Sequence, residues 1–253
     1  MFAITTWTVF ERYLVAYRRL WQASVFSSFV LPILFVLSIG IGVGGYIGDV
    51  NGVSYLSWII PGVLASTAFQ LAIGESTFPV LGDFKWTRAY HAMRATTVRI
   101  GDMVAGFQLF IIFRVLIASV VFLLVSSAFG ALHSWWALTT PLIAALLALS
   151  VAAPTSAFAA TIENDSYFAL LFRFLVIPSS LFAGVFFPVE QLPDGFRQLA
   201  YASPLYHGVD LCRAATLGQP PTFPIWAHVG YLLLWAGLGL WWARAAYGRR
   251  LSD

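Results

Sequence analysis

The sequence predicts an all-α, polytopic membrane protein with six transmembrane helices. Of its 253 residues 60% are hydrophobic and only 10% are charged, far below the roughly 25% that is usual in soluble domains. Uncharged stretches at 20–48, 50–74, 134–162 and 214–243 each exceed the roughly 20 residues that cross a hydrocarbon core of about 30 Å. One cysteine, Cys212, excludes an internal disulfide and a multi-cysteine metal site.

The N-terminal segment, residues 1–22, predicts an amphipathic helix that lies in the membrane interface. Arg12 and Arg19 fall on the side opposite to the apolar residues. Such a helix lies in the interface plane, and the alternative is a simple anchor for the first span. Large apolar residues recur at alternating steps of three and four: Trp7, Phe10, Leu14, Tyr17 and Trp21.

Lysine and arginine residues decide the predicted orientation. With both termini in the cytoplasm, ten of the fourteen lie in inner segments and two, Arg197 and Arg213, in outer segments. Positive residues are enriched in cytoplasmic loops, so we predict this orientation. The spans belong to one transmembrane domain, residues 1–253, and lie at 24–46, 55–75, 103–127, 136–161, 167–187 and 225–243.

The passage FKWTRAYHAMRATTVRIGD, within residues 83–102, holds the only lysine and three of the thirteen arginines. Asp83 can cap a helix from Phe84 to about Ala95, and Asp102 can cap the third span. Trp86, Tyr90 and Met93 fall on one face of this helix. A loop that needs only charge does not need apolar residues at helical spacing, so we predict a cytoplasmic docking helix. The alternative is a basic loop that sets topology and binds anionic lipid.

Arg114 lies about eleven residues into the third predicted span. An arginine near mid-depth costs on the order of 2.5–3.5 kcal/mol on insertion scales, so it requires a partner or a wet cavity. Glu75 and Glu163 close the second and fourth spans and are the nearest acidic residues by depth. We hypothesise an Arg114–Glu75 pair, with snorkelling of Arg114 to the inner interface as the alternative.

The outer segment, residues 188–222, is too polar to span and too apolar for a free loop. We predict helices at about Asp194–Ala202 and Leu205–Ala215. Ser203, His207 and Asp210 share a helix face, but no nucleophile elbow accompanies them. We therefore predict no catalytic site, and expect His207 and Asp210 to bond to each other or to backbone.

Two blocks of sequence resemble a known family. GESTFPVLGDFKWTRAYHAMRATTVRIGD is one, and LFAGVFFPVEQLPDGFRQLAYASPLYHGVDLCRA is the other. They are similar to type-2 ABC exporter permeases, in the branch that includes lipo-oligosaccharide (nodulation-factor) and daunorubicin-type drug exporters. Where that family often has Ala–Thr–Pro, this chain has Ala95, Thr96 and Thr97.

The resemblance implies that residues 83–101 hold a coupling helix bound by a separate P-loop ATPase in two copies. It also implies a second permease (a copy or a homologue), a bacterial inner-membrane location and membrane lipid as a partner. The implied outer segment is a re-entrant helix pair that closes the exit. The residues that the resemblance implies for coupling to the ATPase are Phe84, Lys85, Trp86, Arg88, Tyr90, His91, Arg94, Glu163 and Asp165. The residues that it implies for the outer gate are Phe187, Pro188, Pro204, His207 and Asp210.

Apolar residues give the remaining predictions about the substrate. Phe69, Phe172, Phe182 and Phe186 fit an apolar lateral path for an amphipathic drug, lipid or glycolipid, although aromatic stripes in spans usually serve packing.

A phosphate-binding P-loop needs G-x-x-x-x-G-K-[ST], and the only lysine, Lys85, lies between Phe84 and Trp86.

The chain therefore lacks a P-loop, and we expect ATP and magnesium on the partner ATPase, no cofactor or metal on this chain and no nucleic-acid partner. The alternative functions are a lipid-modifying membrane enzyme and a scaffold subunit without a transport path.

Overall fold

The computed structural model describes residues 2–19, 48–50 and 52–252, with the separate positions 30, 33–34, 37–38, 42 and 46. The predicted first span, 24–46, therefore lies outside the described residues apart from those positions. Helices dominate the described chain, as the sequence predicts. They are α1 Phe2–Arg19, α2 Tyr55–Ser76, α3 Phe78–Lys85, α4 Ala89–Arg94, α5 Ile100–Ala128, α6 Thr140–Thr161, α7 Ser166–Leu171, α8 Ile177–Phe182, α9 Asp194–Tyr201, α10 Pro204–Leu217 and α11 Ile225–Arg250.

Four helical segments of the described chain are long and apolar enough to cross a membrane: Tyr55–Lys85, Ile100–Ala128, Trp135–Thr161 and Ile225–Arg250. They match the second, third, fourth and sixth predicted spans. The fifth predicted span, 167–187, is longer than the helix found there. Helix α7, a π-helical turn Phe172–Val176 and α8 form one apolar helix, Ser166–Phe182. Gly184, with a φ of 79°, takes a conformation that ends the helix.

Helix α6 is the centre of the bundle and packs against α2, α5, α10 and α11. Its buried surface is rich in alanine, and small residues let membrane helices approach closely. Gly239 of α11 shows how close this approach is, since a Cβ there lies 2.4 Å from Pro154 Cδ. A side chain at Gly239 therefore requires α11 to move away from α6.

A short antiparallel hairpin precedes α2 and was not predicted. Asp49 pairs with Ser54, and Val50 pairs with Val53. Gly52 has a φ of 79°, which glycine adopts without steric cost. The Oγ of Ser54 accepts the N–H of Ser57 at 3.3 Å and so caps the first turn of α2.

The two ends of the bundle carry different structures. At one end, called the basic end, α1, α3, α4 and the start of α5 meet the ends of α6 and α11, as the bonds Thr6–Asp102 and Arg250–Ala160 show. At the opposite end, a 3₁₀-helix, Trp135–Thr139, meets α10. Helices α9 and α10 match the two predicted outer helices within two residues.

Candidate functional site

An elbow projects at the basic end and consists of α3, the turn 86–88 and α4. The sequence predicted one helix from Phe84 to Ala95, and this prediction is wrong. The N–H groups of Trp86 and Thr87 both bond to the carbonyl of Gly82 and end α3. Arg88 then takes a left-handed φ of 50°, which interrupts a helix, and α4 begins at Ala89.

Asp83 lies inside α3 and does not cap a helix start. Its carboxylate accepts two hydrogen bonds from the Arg12 guanidinium, at 2.7 and 2.8 Å, and one from the Tyr13 hydroxyl at 2.8 Å. Arg12, predicted on the side of α1 opposite to the apolar residues, is 36% exposed and contacts the elbow through this pair. A bidentate arginine–carboxylate pair is among the stronger polar contacts, so Asp83 fastens α1 to the elbow.

Three tyrosine hydroxyls extend this contact into α11. Tyr13 Oη lies 2.7 Å from Tyr90 Oη, which lies 3.3 Å from Tyr247 Oη. Burial raises the pKa of Tyr13 and Tyr90 well above the ordinary value, so both phenols are neutral. The hydroxyls can therefore donate in sequence, from Tyr247 to Tyr90, then to Tyr13 and finally to the Asp83 carboxylate.

Phe84 packs beneath this chain of hydroxyls. Its ring contacts those of Tyr90 and Tyr247 at centroid distances of 4.5 and 4.9 Å. The Arg250 guanidinium lies over the Phe84 ring at 4.9 Å and donates to the carbonyls of Ala159, Ala160 and Ile162. These carbonyls end α6, where a cation is favourable. Phe84 and Arg250 therefore join the elbow, α6 and α11 at one place.

The predicted coupling residues divide into two groups. Phe84 and Tyr90 are buried, so their side chains belong to the base of the elbow and not to its exposed surface. Trp86 is 61% exposed. The remaining members are also exposed: Lys85, Arg88, His91, Arg94, Glu163 and Asp165. Lys85 Nζ donates to the Glu163 carbonyl at 2.9 Å and brings the turn after α6 beside the elbow.

The start of α5 is fixed to α1. The prediction placed Asp102 ahead of the third span, but α5 begins at Ile100 and Asp102 caps it from within the first turn, where its carboxylate accepts the Arg99 N–H at 3.1 Å. It also accepts the hydroxyls of Thr5 and Thr6, at 2.8 and 3.0 Å. Gly106, one turn later, would bring a Cβ within 2.7 Å of the Thr6 carbonyl, so glycine permits this close packing.

Arg114 and Glu75 lie in contact, with the guanidinium Nη1 against the carboxylate Oε1. The guanidinium also lies 5.0 Å from the centroid of the Tyr17 ring. Helices α1, α2 and α5 meet at this pair. An arginine that is 8% exposed needs such a partner in a membrane.

The predicted outer-gate residues do not form one cluster. His207 and Asp210 both approach His228 of α11, a residue that the sequence analysis missed. The available signal was a lone ionisable side chain in an apolar span, which by itself suggests a functional role. Phe187 and Pro188 lie on the segment that follows α8, and Pro204 begins α10.

The predicted substrate-path residues are also dispersed. Phe69 lines an apolar cavity of about 400 Å³ together with Phe158, Leu175 and Trp242. Phe182 instead packs on Phe196 at 5.3 Å, and the Phe186 carbonyl accepts the Tyr55 hydroxyl. Phe172 lies in the π-helical turn. The cavity lies between α2, α6, the helix α7–α8, the α9–α10 junction and α11.

Comparisons with known proteins give a consistent result over nearly the whole chain. A family model for ABC-2 type transporters matches residues 5–217. Nodulation protein J of Rhizobium leguminosarum bv. viciae is 29% identical over 244 residues, which cover 96% of this chain and 93% of that protein. The inner membrane transport permease YadH of Escherichia coli is 25% identical over 206 residues, 80% of this chain and 78% of its own length.

Proposed function

This chain belongs to the family of ABC-2 type transporters, and from that premise we propose that it is the permease subunit of an ATP-driven exporter. A separate P-loop ATPase would bind at the elbow and supply the energy. The exported molecule would be amphipathic or hydrophobic, such as a drug, a lipid or a glycolipid. The observation that carries the proposal is the elbow itself. Its basic surface is exposed, and its buried side is joined by hydrogen bonds to α1 and α11.

The contacts of the elbow support a role in transmitting movement. Asp83 connects it to α1, Tyr90 connects it to α11, and Lys85 connects it to the turn after α6. A buried network whose polar groups are all paired is rigid. A displacement of the elbow by a bound ATPase would therefore reach several membrane helices together.

Charge and the relatives support the location and orientation. The basic end carries nearly all of the lysine and arginine residues outside the spans, which favours the cytoplasmic side for that end and for both termini. The relative YadH is named an inner membrane transport permease. We propose the bacterial inner membrane for this chain, with two permease subunits and two ATPase subunits in the complete exporter.

The apolar cavity supports the substrate class. Its volume of about 400 Å³ lies within the range of roughly 300–1,000 Å³ of small-molecule pockets. Most of its lining is aliphatic or aromatic, with Trp235 and Trp242 contributed by α11. A surface of this kind suits a hydrocarbon group better than a charged one.

The test is purification of this chain from its native membrane, with mass spectrometry of the bound proteins. We expect a P-loop ATPase in equal amount, and we expect the double variant R88E/R94E to lose at least nine tenths of it, because both exposed charges are reversed on the elbow. The matched control is R197E at the opposite end, which should retain the ATPase. A stable wild-type chain without an ATPase would favour the lipid-enzyme and scaffold alternatives.

A further inference from the structure

A buried cluster of two histidines and one aspartate joins α10 to α11 at the end opposite the elbow. His207 Nδ1 lies 2.8 Å from His228 Nδ1, and His228 Nε2 lies 3.2 Å from Asp210 Oδ2. His207 Nε2 lies 3.0 Å from the carbonyl oxygen of Tyr201. His228 is fully buried, and His207 is 7% exposed. The transport mechanism proposed above does not use this cluster.

The positions of the ring hydrogens follow from the partners. The Tyr201 carbonyl can only accept, so His207 Nε2 carries a hydrogen. The Nδ1 of a neutral His207 is then a bare acceptor. The facing Nδ1 of His228, 2.8 Å away, must therefore donate. These two contacts assign one hydrogen to each ring.

The remaining contact requires one more proton. If His228 is neutral and donates from Nδ1, its Nε2 presents a lone pair to Asp210 Oδ2 at 3.2 Å. Two acceptors that face each other repel, and the buried Nε2 of His228 is then left without a hydrogen-bond partner. A proton between them removes the conflict and gives the cluster one charge of each sign.

We infer that this cluster is a proton-binding site that holds one proton at neutral pH, carried by His228 as an imidazolium ion beside the Asp210 carboxylate. The imidazolium then forms an ion pair with Asp210 and donates from Nδ1 to His207, which in turn donates to the Tyr201 carbonyl. The inference rests on the cluster's geometry and is independent of transport.

The surroundings of the aspartate place the proton on the histidine. Asp210 Oδ2 also accepts the N–H of Thr222 at 2.8 Å, a bond that favours the ionised carboxylate. Burial alone raises the pKa of Asp210, but its hydrogen bonds with His228 and Thr222 and the charge of Arg213 lower it below the ordinary value. Asp210 is therefore an anion that can pair with the imidazolium.

His207 remains the neutral member. Burial, and next the charge of His228, lower the pKa of His207 to about 4. The Tyr231 ring stacks on the His207 ring at a centroid distance of 4.1 Å. The titratable or charged groups around the cluster are Tyr201 of α9, Tyr206 and Arg213 of α10, Tyr231 of α11 and Glu190 of a 3₁₀-helix, Val189–Gln191.

The proton fastens α10 to the outer end of α11. The hydrogen bond from the imidazolium to His207 is charge-assisted and roughly twice as strong as a neutral one, and the ion pair with Asp210 is a second contact between the two helices. Loss of the proton restores the repulsion between His228 Nε2 and Asp210 Oδ2. The proton concentration at this side of the membrane therefore acts on the contact between α10 and α11.

The test is nitrogen NMR of the purified full chain in lipid nanodiscs, with ¹⁵N-labelled histidine. The parent protein carries H91Q and H133Q, which remove the two exposed histidines and leave only the cluster. At pH 7.5 we expect one doubly protonated ring and one neutral ring. In D210N we expect two neutral rings, because the new amide can donate to a bare His228 Nε2.

Hydrogen–deuterium exchange then tests whether the cluster stabilises the contact between α10 and α11. We expect amides of α10 to exchange about tenfold faster in D210N than in the parent, since a charged link becomes a neutral one. D194N is the control, because Asp194 is 90% exposed and lies outside the cluster. Two neutral rings in the parent, an imidazolium that persists in D210N, or equal exchange in both proteins overturns the inference. If D210N does not fold, the parent spectrum alone decides.

Discussion

At the scale of single residues, Tyr13 joins the elbow to the membrane helices at the basic end. Its hydroxyl donates to Asp83 and lies 2.7 Å from the Tyr90 hydroxyl. Its ring stacks on Phe110 of α5 at 5.4 Å. One side chain therefore contacts the elbow and a membrane helix at the same time.

Replacement of Tyr13 by phenylalanine tests the hydroxyl without removing the ring. Asp83 and Tyr90 then each lose a buried partner, which costs about 1–3 kcal/mol. For a chain of this length we expect the apparent Tm in detergent to fall by roughly 2–12 °C, at about 2–4 °C per kcal/mol. Tyr17→Phe is the control, because its ring contacts Phe110 at 6.1 Å and it belongs to the same helix.

The comparison of the two variants tests whether the Tyr13 hydroxyl contributes to stability. Equal Tm values for Tyr13→Phe and Tyr17→Phe contradict a contribution of the hydroxyl chain to stability. A fall confined to Tyr13→Phe supports it.

Asp83 shows why residue roles were hard to predict. A carboxylate before an amphipathic stretch suits a helix cap, and the same side chain suits an ion pair. The partner that decides between them, Arg12, lies 71 residues away in the chain. The role of Asp102 was easier to predict, because its partner, the Arg99 N–H, lies three residues away.

At the scale of elements, the contact between α10 and α11 gives a dependence on pH. The pKa of His207 is lowered by burial to about 4, whereas an unfolded histidine has a value near 6.5. Between these values the unfolded chain binds a proton at this residue and the folded chain does not. Stability therefore falls as the pH falls from 6.5, and the loss is complete as the pH passes below 4.

We expect His207 to contribute a slope of about 1.4 kcal/mol per pH unit within this window, the value for one proton. Thermal unfolding of wild type and His207→Gln between pH 4 and 7 measures it, since glutamine does not titrate. The difference in Tm between the two proteins should change with pH only in this range. His133→Gln, an exposed position, should keep the wild-type profile, and a profile equal in wild type and His207→Gln contradicts the prediction.

The elbow shows the limit of periodicity at this scale. Trp86, Tyr90 and Met93 suit one helix face, but Trp86 lies in the turn and Tyr90 is buried. Helix α3 ends because Trp86 and Thr87 both use the Gly82 carbonyl. The sequence before α2 carried a local signal in Asn51-Gly52, a pair typical of tight hairpins.

At the scale of the whole molecule, orientation can be measured with single cysteines. Burial raises the pKa of the Cys212 thiol to about 12, so the native cysteine should not react with thiol reagents. In a C212A protein, Thr96→Cys marks the basic end and Asp194→Cys marks the opposite end; both positions are exposed. In intact cells with a permeable outer membrane we expect an impermeant maleimide to label position 194 only.

Labelling after lysis is the control for reactivity, and there both positions should react. Labelling of position 96 alone in intact cells reverses the predicted orientation. Labelling of both in intact cells contradicts the assignment of the two ends to opposite sides of the membrane.

By itself the sequence determined the membrane class, four spans of the described chain and the two helices Asp194–Tyr201 and Pro204–Leu217, because apolar length and helical spacing are local properties of the chain. It also carried enough resemblance to indicate the ABC-2 type transporter family. Only the tertiary structure decided which polar residues meet: Arg12 with Asp83, Tyr90 with Tyr247, and His207 with His228. Such partners lie 21 to 157 residues apart, and the packing of whole helices brings them together, with α1 against α5 and with α3, α10 and α11 against α6.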